Sequence, residues 1–164
     1  RLFRTDVRDL IIFSGVSFKP ENAQRVQMQG VQLSWRYVAR PWNAQLRGIY
    51  QSARNLTTHT QLVRRPRFTI SARLDRTLGR FNVGAAVYGT GSRPDVDPLT
   101  GAQGPQYADG GYALFDLHAG VRLTRDLRLQ AHLENAFNHH YQTAQGYNQS
   151  SSAVYATLRY TLPL

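Results

Sequence analysis

The segment from Arg67 to Tyr88, RFTISARLDRTLGRFNVGAAVY, contains two runs in which apolar and polar residues alternate. Successive side chains of a β-strand point to opposite faces of the sheet, so each run predicts a strand with one apolar face. The apolar positions are Phe68, Ile70, Ala72 and Leu74 in the first run and Phe81, Val83, Ala85 and Val87 in the second. Only Leu78-Gly79-Arg80 separates the runs, which predicts a tight turn and an antiparallel hairpin.

The same alternation recurs on both sides of this hairpin. The other clear runs are 31–37, 115–123, 127–133 and 154–164, and two weaker runs are 6–13 and 44–52. No segment shows the 3.6-residue period of an amphipathic helix. The sequence therefore predicts an all-β, antiparallel protein of about eight strands.

The connections between these runs alternate between short and long. The short ones are 40–43, 78–80 and 124–126, and the long ones lie near 14–24, 54–66, 91–110 and 138–152. Strands joined in this way run up and down, with tight turns at one rim and elaborate loops at the other. That asymmetry is typical of outer-membrane β-barrels, whose periplasmic turns are short and whose extracellular loops are long.

The polar and apolar faces of the predicted strands indicate which side meets lipid. The polar faces carry several charges of both signs, typical of a wet lumen, at Arg73, Asp75, Asp116, Arg122, Arg128 and Glu134. The apolar faces end in aromatic residues near the short turns, at Trp35, Tyr37, Phe81 and Tyr160. An aromatic belt at the membrane interface is expected there. A soluble β-sandwich or barrel, with the apolar face inside, is the alternative.

Composition narrows the functional classes. The longest apolar runs, 10–13 and 83–88, are far shorter than the roughly 20 residues of a membrane-spanning helix. Cysteine is absent, which leaves no disulfide or thiolate metal site. The net charge is +10, but the arginines are spread along the strands and cluster only at 64–67, so we predict no nucleic-acid partner. No signal-peptide pattern follows Arg1, and we expect either a cleaved leader or a fragment.

Several short segments, taken in order, resemble a known family. They are Gln29-Gly30-Val31-Gln32-Leu33, Arg64-Arg65-Pro66, the glycine-rich loop before Tyr112, Phe115-Asp116-Leu117 and Glu134-Asn135-Ala136-Phe137-Asn138. Their order and spacing, continued through Gly146-Tyr147 to the closing strand, resemble the C-terminal end of TonB-dependent outer-membrane receptors. Within that family the similarity is closest to the cobalamin (vitamin B12) receptors.

The resemblance implies that residues 1–164 form the C-terminal part of a transmembrane β-barrel of about 22 strands. It implies a bacterial outer-membrane receptor that actively transports a large, scarce nutrient, with cobalamin favoured. The implied partners are that nutrient, outer-membrane lipid, and the TonB complex, reached through a plug region absent from this chain. Two alternatives stay open: a siderophore–iron receptor of the same family, or a complete eight-stranded barrel with a structural or adhesive role.

Candidate ligand contacts lie in the long loops. Arg64 and Arg65 occur where a loop returns to the barrel, and Tyr107 and Tyr147 occur in the two largest loops. Arginine and tyrosine can hold a large polar substrate by hydrogen bonds and stacking, although ordinary solvation of a loop explains each residue equally well. The resemblance implies that Arg64 and Tyr147 line the substrate cup.

Catalytic and metal sites are not predicted. Asp116 and His118 share a face, but no serine or cysteine is placed to complete a nucleophilic set. His132, Glu134 and the His139-His140 pair suggest a metal site, yet two adjacent histidines cannot both face one ion without a turn. We therefore expect no enzyme activity, no metal site and no cofactor.

Overall fold

The computed structural model describes residues 1–13, 19–102 and 105–162. Its elements, in chain order, are β1 (Leu2–Phe13), β2 (Pro20–Ala39), β3 (Trp42–Asn55), β4 (Phe68–Leu78), β5 (Phe81–Thr90), a single 3₁₀ turn (Pro105–Tyr107), β6 (Tyr112–Arg122), β7 (Leu127–Glu134), β8 (Gln142–Ala144), β9 (Tyr147–Asn148) and β10 (Ala153–Tyr160). Within these ranges no helix has the length and apolar character needed to cross a membrane.

Eight of the strands form one antiparallel sheet in the order β1-β2-β3-β4-β5-β6-β7-β10. Each of these eight strands pairs with the next one along the chain, except that β7 pairs with β10 because the small β8–β9 hairpin lies in the connection between them. The prediction of an all-β, antiparallel, up-and-down sheet of eight strands is confirmed. In the described part of the chain, β1 and β10 are the two edges of this sheet and do not pair with each other.

The structure corrects the boundaries of the first two strands. The predicted loop near 14–24 is too long, because β2 already begins at Pro20; residues 14–18 lie outside the described residues. Sequence alternation failed here because polar residues such as Arg25, Gln27 and Gln29 occupy the face that is apolar farther along β2. Backbone pairing with β1, for example Asp6 opposite Gln27, keeps this segment extended.

Outward and inward faces follow directly from the strand register. Across β3 to β6 the register places four apolar residues in one row: Leu46, Ala72, Val87 and Phe115. The adjacent row, one residue away on each strand, contains Gln45, Arg73, Ala86 and Asp116. Along β6 the apolar positions Phe115, Leu117 and Ala119 are exposed, whereas Asp116 and His118 are half-buried. The polar face is thus the enclosed one, as on the inside of a curved sheet. We call it the lumen face and the apolar one the outward face.

The chain has very little core of its own. Among the described residues only Val26 and Ala53 are buried hydrophobic side chains. The accessible surface is 11815 Å², whereas a compact monomer of this mass would expose about 8,200 Å². The large apolar side chains lie exposed on the outward face, so this sheet needs an apolar environment against that face.

Aromatic residues mark both ends of the outward apolar band. Tyr50 and Phe68 stand opposite each other at the end near the long loops, and Trp42 and Phe81 lie at the end near the short turns. From Trp42 to Tyr50, β3 rises about 27 Å, or roughly 20 Å in height at the usual strand tilt. That is close to the ≈ 25 Å apolar band of outer-membrane barrels. Trp35 and Tyr37, which we expected at the short-turn rim, stack on each other within the band, with ring centroids 6.1 Å apart.

Candidate functional site: the long-loop rim

Three long connections meet at one end of the sheet. They are residues 56–67 between β3 and β4, 91–111 between β5 and β6, and 135–152 between β7 and β10. The predicted division into a short-turn rim and a long-loop rim is confirmed for the described residues. Loops of this length need internal contacts to hold a shape, and a small set of charged side chains supplies them.

Asp95 joins all three connections. Its side chain is fully buried, and its carboxylate accepts hydrogen bonds from the Nε of Arg64, from the N–H of Val96 and from the N–H of Gln145, each 2.8 Å long. The backbone N–H of Arg64 also donates to the carbonyl of Pro94, at 2.8 Å. One carboxylate therefore fixes the return of the 56–67 loop and the tip of the β8–β9 hairpin to the 91–111 loop.

A second ion pair, in which both side chains are buried, lies beside the first. The guanidinium of Arg93 donates to Asp109 at 3.2 Å and to the carbonyl of Gln142 at 2.7 Å, and it lies 5.6 Å from the centre of the Tyr112 ring. The backbones of Arg93 and Asp109 also exchange two hydrogen bonds, of 3.1 and 3.0 Å. We refer to Arg64, Arg93, Asp95 and Asp109 together as the rim cluster.

The two carboxyls of the rim cluster have pKa values shifted in opposite directions. Burial alone would raise the pKa of Asp95, but hydrogen bonds from Gln145, Val96 and Arg64 outweigh it and hold that pKa below its usual value. Burial and the neighbouring Asp95 raise the pKa of Asp109 despite its contact with Arg93. At neutral pH the Asp95 carboxylate therefore carries the negative charge that holds the loops together.

A cleft of about 360 Å³ opens between the second and third of these connections. Its lining combines aromatic rings, two imidazoles and side-chain amides: Tyr112, Tyr141, His139, His140, Gln142, Gln145 and Asn148 beside the 108–111 backbone and Asp109. The rings of Tyr112 and Tyr141 are 4.5 Å apart at their centroids, which gives the cleft a packed aromatic wall. These groups can stack on a ligand and exchange hydrogen bonds with it.

The four predicted contact residues have different surroundings. Arg64 bonds to Asp95 while about half of its side chain stays exposed. Arg65 is exposed, and its carbonyl accepts a bond from Gln61. Tyr107 is half-buried in the 3₁₀ turn and hydrogen-bonds to Asp97, which helps to lower the pKa of that carboxyl. Tyr147 is 62% exposed on β9.

Of these four, Arg64 and the hairpin that carries Tyr147 are brought together through Asp95. No described contact joins Arg65 or Tyr107 to them. Their role in binding stays a prediction.

Sequence reasoning missed the residues that organise the rim. Asp95 and Asp109 belong to no motif in the sequence, and Arg93 is one of the dispersed arginines. The local signal was the segment Pro94-Asp95-Val96-Asp97-Pro98, in which two prolines restrict the backbone around the buried carboxylate. Nothing in one sequence shows that Gln145, fifty residues later, donates to it.

The segment Asn135-Ala136-Phe137-Asn138 connects the 135–152 connection to strand β6. Asn135 has a positive φ of 47°, and its side-chain amide bonds to both the N–H and the carbonyl of His139, at 2.9 Å each. Its own N–H donates to Asp116 at 2.9 Å, and the ring of Phe137 meets that of Phe115 edge to face at 5.1 Å. Two motifs that looked separate in the sequence therefore form one structural unit.

The lumen face carries a second polar group, formed by Arg73, Asp75 and His118. Arg73 binds Asp75 with two hydrogen bonds of 2.9 and 3.2 Å, and the Nε2 of His118 lies 2.5 Å from the same carboxylate. Asp116 and His118 point to this face as predicted, and no described serine contacts them. The described residues contain no group of three or more possible metal ligands; His132 and Glu134 make one contact of 3.7 Å.

Comparison with known proteins identifies the fold family. Residues 1–136 match the family model described as TonB dependent receptor-like, beta-barrel. The chain belongs to this family. TonB-dependent receptor barrels are bacterial outer-membrane proteins, and the receptors are transporters rather than enzymes. The outward face described above is accordingly the lipid face of a TonB-dependent receptor barrel.

Solved structures agree with this assignment. The chain is similar to the copper transporter OprC (TM-score 0.78, 17% identity, 98% of this chain and 28% of that one). It is also similar to the ferripyoverdine receptor of Pseudomonas aeruginosa (0.76, 14%, 97% and 24%) and to the ferric enterobactin receptor PfeA of the same organism (0.75, 20%, 97% and 28%). At these identities the similarity establishes the fold. The chain spans between 19% and 28% of the length of the structures it matches.

Proposed function

We propose that this chain supplies the last strands and part of the extracellular substrate cup of an outer-membrane receptor for a large, scarce nutrient. Uptake would be driven by the TonB complex through a plug region outside this chain. The observation that supports the proposal is the rim cluster. It holds three long loops together beside a cleft lined by aromatic, imidazole and amide groups.

The chemistry of the cleft favours a ligand that is large, polar and partly aromatic or metal-chelated. Its volume of about 360 Å³ is near the lower end for a drug-sized ligand, so it would hold only part of a molecule such as a corrinoid or an iron chelate. Tyr112 and Tyr141 offer ring faces, and Gln142 and Asn148 offer amides. The half-exposed guanidinium of Arg64 would add a positive charge nearby.

Two substrate classes fit this description. The run from Asn135 through Tyr141 to Tyr147 resembles the cobalamin receptors and favours cobalamin. The structural neighbours named above are described as receptors or transporters for ferric enterobactin, ferripyoverdine and copper, which favours a metal chelate equally. The substrate is therefore proposed as one of these two.

Titration of the full-length receptor with cobalamin, and separately with a ferric catecholate chelate, distinguishes these classes. We expect tight binding of one and weak binding of the other. Binding of neither by a correctly folded receptor would contradict the proposed function.

Variants at the rim test which residues contact the ligand. Tyr147→Ala should weaken binding of the preferred ligand about tenfold, because it removes an exposed ring that would stack on the ligand. Arg64→Ala should weaken binding more, because it also removes a bond that orders the loop. Arg64→Lys, which keeps the charge near Asp95, separates these contributions. Arg67→Ala, on the same loop but bonded to Gln61, is the control.

The alternative of a complete eight-stranded barrel is tested on the isolated 164-residue chain. An open sheet with two unpaired edges should not form a discrete barrel alone, since unpaired backbone groups in lipid are costly. We expect the isolated chain to aggregate in detergent while the full-length receptor shows heat-modifiable migration. A monomeric, heat-modifiable species from the isolated chain would support the small barrel instead.

A further inference from the structure

Two arginines at the short-turn rim lie against aromatic rings of the outward face. The guanidinium of Arg76, near the end of β4, lies 4.8 Å from the ring centre of Trp42 on β3. The guanidinium of Arg80, in the turn between β4 and β5, lies 5.2 Å from the ring centre of Phe81. Both arginines are exposed.

The position of Arg76 is unusual for a charged residue. It stands directly opposite Trp42 on one side and Val83 on the other, with the outward Leu74 and Leu78 two residues away along β4. A charge on the lipid-facing surface is unfavourable in the bilayer centre and tolerated only near the interface, where a long side chain can reach polar groups. The side chain of Arg76 must therefore extend to the headgroup layer.

The protein itself does not neutralise these two charges. Among the residues that the structure describes, no carboxylate lies within ion-pair distance of either guanidinium. A guanidinium that lies on a ring keeps its N–H edge free, and that edge matches two oxygens of a phosphate. Trp42 lies on β3 and Phe81 on β5, with β4 between them. The two rings are therefore roughly 7 Å apart along the strands and about 10 Å apart across them.

We propose that Arg76 and Arg80, held on Trp42 and Phe81, form two neighbouring binding positions for the phosphates of anionic phospholipids in the periplasmic leaflet. The aromatic rings anchor these positions at the membrane interface, and each guanidinium binds one headgroup phosphate. A lipid is the occupant because Leu74, Leu78 and Val83 surround the arginines with apolar surface that suits acyl chains. The inference rests on the outward face being the lipid face, not on which nutrient is transported.

Lipid retention by the full-length receptor tests these positions. The receptor is reconstituted in phosphatidylcholine nanodiscs with increasing phosphatidylglycerol, extracted mildly, and analysed by native mass spectrometry for bound lipid. We expect wild type to retain phosphatidylglycerol in preference to phosphatidylcholine. The Arg76→Gln/Arg80→Gln double variant should retain at least about fivefold less.

Two controls make the result specific. Arg125→Gln removes an exposed arginine from another short turn, one with no described aromatic partner, and should leave retention unchanged. Arg76→Lys keeps the charge but loses the planar fork, and should retain an intermediate amount. Heat-modifiable migration and nutrient affinity, which depends on the opposite rim, report whether each variant is folded.

Three outcomes would overturn the proposal: equal retention by wild type and the double variant, an equal loss in Arg125→Gln, or displacement of the lipid by millimolar inorganic phosphate. The last would identify a site for free phosphate. Failure here would leave the substrate titration unaffected, because that experiment concerns the long-loop rim.

Discussion

The outward face and the lumen face of this sheet differ in how their side chains are satisfied. On the outward face of β3 to β6, large apolar side chains such as Leu74, Val83 and Phe115 are exposed to the surroundings. On the lumen face, Arg73, Asp75 and His118 satisfy each other with hydrogen bonds across β4 and β6. The difference shows that the strand register places apolar side chains toward lipid and polar side chains toward the lumen. A shift of the register by one residue would exchange the two faces.

Charge placed on either face gives the largest expected contrast. Leu129→Arg puts a cation on the outward face of β7 and should lower the free energy of unfolding by about 2–4 kcal/mol if the residue is near the bilayer midplane. Gln130→Arg, on the lumen face of the same strand, should change it by less than about 1 kcal/mol. Reversible unfolding of the full-length receptor in lipid vesicles measures both. Equal tolerance of the two arginines would refute the assignment of the faces.

Removal of a lumen carboxylate tests how far that face depends on its bonds. Asp75→Ala removes a buried carboxylate, leaves Arg73 and the mostly buried His118 without their shared partner, and should cost about 1–3 kcal/mol. Glu134→Ala is the matched control, because Glu134 is half exposed and its one described contact is a 3.7 Å approach to His132. If both variants unfold at the same denaturant concentration, the lumen bonds contribute nothing measurable.

Substitutions at two glycines compare the space that each face has for an added methyl group. A Cβ at Gly84, on the lumen face, would lie 2.7 Å from the carbonyl oxygen of Leu74 and 2.5 Å from the ring of His118. Gly84→Ala should therefore destabilise by about 1–2 kcal/mol. A Cβ at Gly48, on the outward face, would meet nothing within 4 Å, and Gly48→Ala should be neutral or stabilise by up to about 1 kcal/mol. A reversed order would mean that the outward face is the crowded one.

The smallest expected effect is the pH dependence of the polar rim. The lowered pKa of Asp95 means that its stabilising contribution is present at neutral pH and lost as the pH falls through that folded value. Asp109, with a raised pKa, acts in the opposite direction, so acidification relieves its burial and offsets part of the loss. We expect the protection of the backbone amides of 142–148 against hydrogen exchange, corrected for the intrinsic exchange rate at each pH, to fall only below the ordinary pKa of an aspartate. In Asp95→Asn this protection should be low already at pH 7, and unchanged protection in that variant would contradict the role of Asp95.

Much of the strand order was predictable because alternation and connection length are local properties. The hairpin 68–90 and the strands around 115–123 and 127–133 are almost as predicted, since one apolar face per strand leaves a single register. The predicted β2 was too short because Arg25, Gln27 and Gln29 put polar residues on the face that is apolar farther along the strand. The rim cluster was not predictable, because Asp95 acquires its role from residues 31 and 50 positions away.

Strand β2 has 20 residues, about 66 Å along its length. At the usual tilt it would rise roughly 50 Å, well beyond the ≈ 30 Å hydrocarbon core. From Leu2 and Val31 toward the long loops, the outward face of β1 and β2 carries the polar residues Arg4, Asp6 and Gln27, which are joined by hydrogen bonds. This part of β1 and β2 would extend above the outer membrane of an intact cell. It would therefore be an epitope that antibodies reach without entering the barrel, and antibody labelling of living cells would report the orientation of the receptor.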